Sequence, residues 1–232
     1  LSGILRVIAF DLPERRPSLK SKIYDYAKPV AQTLESLTID KCVVLGESMG
    51  GMVAIQMCLS FPEKVTGLIL SNSIYDRRMR SFGLNMSTFA TAVHFLAFLP
   101  IGDRRRRGLL EWVGKNRGFI FDPSEGNAEL IDYLLAKRKD MRASAFADRF
   151  IAVANTDFSR SLDKIGVPTL IIRGEEDRFV GENVANYLSR KIKDSKLALI
   201  KGAGHCSPLT AHARTNEVIK EWLFEKGFCP KN

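Results

Sequence analysis

The chain has 232 residues, 45% of them hydrophobic, and a formal net charge of +9. That is enough apolar material for one sizeable core, no internal repeat or low-complexity tract interrupts it, and no stretch reaches the roughly 18 apolar residues of a membrane span. The four cysteines, Cys42, Cys58, Cys206 and Cys229, show no CxxC or metal-ligand spacing, which points away from a disulfide framework or a metal centre and toward reduced thiols in a cytoplasmic setting.

In chain order, residues 1–73 read strand, helix, strand, helix, strand. The first strand-like run is "RVIAF", residues 6–10. A second, buried strand is expected over residues 42–45, and it runs directly into Gly46-Glu47-Ser48-Met49-Gly50. Behind that junction Met52, Val53, Ile55, Gln56 and Leu59 recur as on a helix, which Phe61-Pro62 ends. A serine placed between glycines at a strand-to-helix turn stands clear of its own backbone, where a carbonyl can reach its hydroxyl. Glycines two before and two after relieve the crowding of so sharp a turn. The hydroxyl then needs a base to take its proton. "VTGLILSNS" follows as a buried strand ending near Ser73.

Residues 74–164 carry helical patterns and few strand signals. His94 lies in the apolar "ATAVHFLAFLP" and suits a buried or pocket-lining place. Arg104, Arg105, Arg106 and Arg107 form the densest basic run of the chain. A solvated helix start or loop accounts for it. A second reading is an interfacial membrane contact through residues 89–107, because the arginines follow the apolar stretch 89–101 that opens on Phe89. Attraction of an anionic substrate is a third. Nucleic-acid binding wants basic residues interleaved with exposed aromatics, and only Trp112 and Phe119 are near; no nucleic-acid partner is expected.

Strands and helices resume at Ile165. A strand over residues 169–172 is followed by Arg173-Gly174 and three carboxylates, Glu175, Glu176 and Asp177. Of these, Asp177 is the best placed to accept a hydrogen bond from an imidazole and hold its tautomer. The apolar "LALI" then runs into Gly202-Ala203-Gly204 and His205, a histidine on a small-residue loop past a strand end, able to swing over a hydroxyl. His212 falls in a helical pattern and reads as a surface residue.

On "RVIAFDLP", "GESMGG", "FPEKVTGLILSNS", "VPTLIIRGEEDRFV", "GAGHCSPL" and "VIKEWL", and on the order Ser…Asp…His, the chain resembles the α/β-hydrolase superfamily from about residue 5 to its end. The resemblance implies an α/β fold with a mostly parallel sheet flanked by helices. Residues 1–73 and 165–232 would form the core and 74–164 a helical cap over the site. Ser48 would be the nucleophile, His205 the base, Asp177 its orienter, and the backbone N–H of Met49 an oxyanion donor. In the cap, Phe95 and Phe98 would line a substrate pocket or pack on the core. The implied partner is a small-molecule acyl substrate, a carboxylic ester, thioester or lactone, with no metal and no organic cofactor. No feature of the sequence specifies an oligomeric state.

A weaker likeness, in "LILSNSIYD" and "AELIDYLLAKRKDMRASAFADRFIAVANT", is to maspardin, thought to be an adaptor, and it gives a non-catalytic binding protein as the alternative. Maspardin lacks the histidine matching His205; this chain keeps it, which favours catalysis. The chain also departs from the superfamily twice. Where relatives carry DxxGxGxS, it has "DLPERRPS", with Glu14, Arg15 and Arg16 in place of small residues, so that loop should meet the site differently. Residues 6–10 match the family's fourth strand, so the N-terminal strands are expected to be missing. Residues 6–10 would then either close up beside the Ser48 strand or be displaced, and the chain would be a fragment and a weak catalyst.

Overall fold

The structure, a computed structural model, describes residues 5–16, 18–76 and 142–230, together with residues 80–81, 84–85, 104–105 and 108. The centre is a four-stranded parallel sheet in the order β1-β2-β5-β6, formed by β1 (Cys42–Glu47), β2 (Val65–Ser71), β5 (Thr169–Gly174) and β6 (Ser195–Ile200). Two short strands, β3 (Arg80–Ser81) and β4 (Leu84–Asn85), pair antiparallel apart from it. β2 and β5 are continuous apolar runs because both of their faces are covered. Leu68, Leu70 and Ile171 enter one cluster, while Ile69, Leu170 and Ile172 enter the other.

The first face is packed by α1 (Tyr24–Ser36), α2 (Met49–Ser60) and α4 (Glu182–Lys191). α2 lies against β1, β2 and α1, and its residues 51–55, Met57 and Cys58 are all buried. A helix enclosed on most sides has no polar stripe. The second face is covered by α6 (His212–Glu225), which turns Thr215, Ile219, Trp222 and Leu223 inward, one helical face at i, i+4, i+7 and i+8. α3 (Ala143–Ala154), at the end of the expected cap, adds Ala152, Val153 and Ala154 to the first cluster.

Residues 6–10 do not form the expected strand. They carry no ladder, and Val7 is 58% exposed. Leu5 packs on the α6-side cluster, whereas Phe10 and Leu12 pack on the α1/α2 side, as an extended segment with alternating side chains allows even without a ladder. An apolar run becomes a strand only where a neighbour offers N–H and C=O groups in register, and no described strand does so here. Of the two arrangements expected for this segment, the displaced one is found. β1 accordingly pairs with β2 alone among the described strands, and Leu45 in it is 44% exposed.

The divergent loop after this segment is bound to α3. The Arg149 guanidinium donates to the Leu12 carbonyl (3.1 Å), and Asn155 Nδ2 donates to the carbonyls of Leu19 (2.8 Å) and Ser21 (3.0 Å). Asp148, with no exposed surface, accepts from Ser18 N–H (3.0 Å), from Ser21 Oγ and from Tyr26 OH (2.7 Å), and Arg15 Nε stands 3.6 Å from its Oδ2. Burial and then the Asp148 hydrogen bond push the Tyr26 phenol well above its usual range. Of the residues that replace the small ones of the family loop, Arg15 meets Asp148 and Glu14 accepts from the Arg142 N–H at the start of α3 (3.2 Å).

Candidate active site

β1 delivers the chain to Ser48 and α2 leaves from Met49. Ser48 has φ 52° and ψ −118°, a left-handed backbone that a side-chain-bearing residue adopts only under constraint. The constraint is visible. Ser48 N–H donates to the Ser71 carbonyl at the end of β2 (3.0 Å), and Ser73 Oγ donates to the Gly46 carbonyl (3.1 Å). The glycines divide the work differently from expectation. A Cβ on Gly46 would overlap the Gly50 carbonyl, as a tight turn requires. A Cβ on Gly50 would meet nothing, and the second close approach is at Gly51, against the Ser73 side chain. Ser73, missed in the sequence, is therefore part of the elbow.

Asp177 follows β5 in a turn closed by its own N–H to the Gly174 carbonyl (3.1 Å). Its Oδ1 accepts from the N–H groups of Phe179 (2.8 Å) and Val180 (2.9 Å), which leaves Oδ2 facing His205 Nδ1 at 2.9 Å. His205 stands on the loop after β6, and its Nε2 lies 3.0 Å from Ser48 Oγ. The Phe179 ring meets the imidazole edge-on at 4.8 Å between centroids. Asp177 and His205 are buried, while Ser48 is only partly so. Glu175 and Glu176 are exposed, and Glu175 Oε2 accepts from Gly202 N–H (3.2 Å).

Met49 opens α2, in the first turn, where N–H groups lack intrahelical acceptors and face outward toward negative charge. His212 is exposed at the start of α6. Arg104 and Arg105 are helical and exposed; Arg106, Arg107, His94, Phe95, Phe98 and Phe89 lie outside the described residues. Among the described residues no helix is long and apolar enough to cross a membrane, and no group of three His, Cys, Asp or Glu side chains is placed to hold a metal ion. None of the four cysteines is in a disulfide, and three are buried.

The arrangement is a hydroxyl, an imidazole and a carboxylate in one line of hydrogen bonds. An imidazole anchored on Nδ1 by a carboxylate can take a proton at Nε2. The structure brings together the three side chains expected from the sequence. Asp148, Ser73 and Phe179 were not among those expected, and their parts depend on contacts between distant segments.

A family model for the alpha/beta hydrolase fold matches residues 4–211. An uncharacterized hydrolase, YugF, of Bacillus subtilis is 30% identical over 228 residues, 94% of this chain and 80% of that one. The pimeloyl-[acyl-carrier protein] methyl ester esterase of Aromatoleum aromaticum is 27% identical over 190 residues, 78% of this chain and 73% of the relative. Among solved structures, a thermophilic esterase from Thermogutta terrifontis superposes with a TM-score of 0.73 at 22% identity, covering 90% of this chain and 74% of that one.

Proposed function

Because the chain belongs to the alpha/beta hydrolase fold family, we propose that it is a serine hydrolase of carboxylic ester, thioester or lactone substrates, with Ser48 as nucleophile, His205 as general base and acid, and Asp177 as the group that orients it. The observation that carries this reading is the continuous line from Ser48 Oγ through both nitrogens of His205 to Asp177, at 3.0 and 2.9 Å.

The steps follow from that geometry. Ser48 Oγ attacks the substrate carbonyl carbon while its proton passes to His205 Nε2, and the carbonyl π electrons move onto oxygen. The Met49 N–H meets that oxyanion. When the intermediate collapses, the bond to the leaving alcohol or thiol breaks and His205 returns the proton to it, which leaves an acyl ester on Ser48. Water then enters, His205 takes its proton, and attack on the acyl carbon releases the carboxylic acid and restores Ser48. Asp177, held by two backbone N–H groups on its other oxygen, steadies the imidazolium. Residues 74–164 would form the cap, with Phe95 and Phe98 as walls of the acyl pocket and residues 89–107 as a peripheral membrane contact. The buried thiols, none in a disulfide, fit a cytoplasmic setting. The named ester activity of the Aromatoleum relative is in keeping with an ester among these substrates.

A fluorophosphonate probe on the full chain tests the reading, followed by a panel of esters, thioesters and amides. Covalent labelling should map to Ser48 and vanish in Ser48→Ala and in His205→Ala, each of which should cost about 10⁴ to 10⁶ in kcat. Asp177→Asn should cost less, because the imidazole is misoriented rather than lost. An accessible Ser48 that takes no label would instead favour the binding-protein alternative.

A further inference from the structure

Asn72 is the residue just past β2 and is 1% exposed. It holds φ 44°, in the left-handed region that asparagine tolerates better than most side chains. Its main-chain N–H donates to the Ile172 carbonyl of β5 (2.8 Å). Its side-chain amide has both ends engaged. Oδ1 accepts from the Gly174 N–H (2.8 Å), and Nδ2 donates to Ser207 Oγ (2.7 Å).

Those two partners belong to the loops of the triad. Gly174 is the residue whose carbonyl closes the Asp177 turn. Ser207 stands two residues past His205 and has no exposed surface. It opens the short helix α5 (Ser207–Thr210), and its carbonyl accepts from Thr215 Oγ1 of α6 (3.0 Å). The two loops also touch directly. Glu176 N–H donates to the Ala203 carbonyl (2.9 Å), and a Cβ on Gly174 would overlap the carbonyls of Ala203 and Gly204. The neighbouring residue, Ser71, supplies the carbonyl that fixes Ser48. Two consecutive residues at the end of β2 therefore hold all three loops, and Asn72 holds two of them through one rigid planar amide.

We propose that Asn72 is a positioning residue, whose side-chain amide sets where His205 and Asp177 stand relative to each other and to Ser48. This rests on the triad reading above. A buried amide satisfied at both ends is directional, and apolar residues of the same size would fill the space without fixing it. Small displacements in a proton-transfer line are costly, on the order of a hundredfold in rate for about 1 Å. A residue that only supported the fold would change stability and leave the chemistry at Ser48 alone.

The test compares the full chain with Asn72→Gly, which keeps the left-handed backbone and removes both amide contacts, with Ser207→Ala, which removes only the His205-loop contact, and with Asp177→Asn. Three quantities are read: the thermal melt, the fluorophosphonate inactivation rate resolved into maximal rate and half-saturating concentration, and the low-field proton resonance of the His205 Nδ1–H. Ser207→Ala should melt cooperatively and keep the half-saturating concentration. It should lose about ten- to a hundredfold in maximal rate and move its low-field resonance toward that of Asp177→Asn. Asn72→Gly should lose at least as much; if it does not fold, Ser207→Ala decides. Wild-type rates with an unmoved resonance in either folded variant overturn the proposal. If the wild-type chain takes no label at all, the hydrolase reading falls and the resonance alone decides: shifted in Ser207→Ala, the positioning stands; unshifted, it falls.

Discussion

At the scale of single residues, the elbow is a matter of which atoms are absent. Gly46 faces a main-chain carbonyl and Gly51 faces a side chain, so the two glycines should respond differently to the same change. Gly51→Ala should cost activity and a few degrees of melting temperature, and Ser73→Gly in the same chain should restore part of the melt but less of the activity, because it removes the obstacle together with the hydrogen bond to the Gly46 carbonyl. Gly46→Ala should lose activity and be rescued by no side-chain replacement. Hydrolysis rates and melts of the two single variants and the double variant check this.

A second residue-scale effect is electrostatic. Burial pushes the Cys58 thiol from 9.0 up to about 12. Between those values the unfolded chain has released a proton that the folded chain still holds, so stability falls as pH rises. The contribution is whole below about pH 9 and gone above about pH 12. The melting temperature should drop across that window. Cys58→Ala, less stable at neutral pH through its lost packing, should show a shallower drop. Cys42 and Tyr26, both raised by burial, push in the same direction.

At the scale of elements, the loop before α1 and the helix α3 behave as one part through Asp148. Asp148→Ala would strand buried donors on Ser21 and Tyr26 and take from Arg15 one of its two carboxylate neighbours, Asp25 remaining at 3.6 Å, a loss of about 3 kcal/mol. Urea unfolding should show it as a lower midpoint with an unchanged slope. Nothing local announces Asp148. It sits in a helical pattern like any surface aspartate, and its partners lie more than 120 positions away. The strands were legible for the opposite reason. Two-sided burial leaves uninterrupted apolar runs in β2 and β5, readable without knowing their neighbours, and the structure extends the expected run at residues 169–172 only to Gly174. Residues 6–10 carry the same local signature and are not a strand, since a ladder is a property of two segments and composition reports one. Ser48 and His205 stood out in the sequence because each follows a strand end in small-residue surroundings, and Asp177 because it closes a run of carboxylates after a strand. Ser73, Phe179 and Asn72 were not, because contacts across the sheet's rim define what they do.

At the scale of the whole molecule, the sheet is assembled from two lengths of chain. β1 and β2 come from residues before 77, and β5 and β6 from residues after 141. They meet along a single seam of four residue pairs, from Leu68 with Thr169 to Ser71 with Ile172. The seam has hydrophobic packing on both faces, which is the ordinary requirement for strands that must hold without covalent help.

That seam also divides the chemistry. Ser48 stands on one side, Asp177 and His205 on the other, and the hydrogen bond between serine and histidine joins positions 157 apart in sequence. On the mechanism proposed above, one side supplies a hydroxyl with no base and the other a base with no hydroxyl. On that mechanism the site is complete only where the two lengths meet, as with the halves of a split reporter. Residues 1–76 and 142–232, produced as separate polypeptides and mixed, should regain fluorophosphonate labelling of Ser48 together and show none apart. Labelling should rise with the concentration of the second piece and disappear when Leu70→Lys places a charge in the seam.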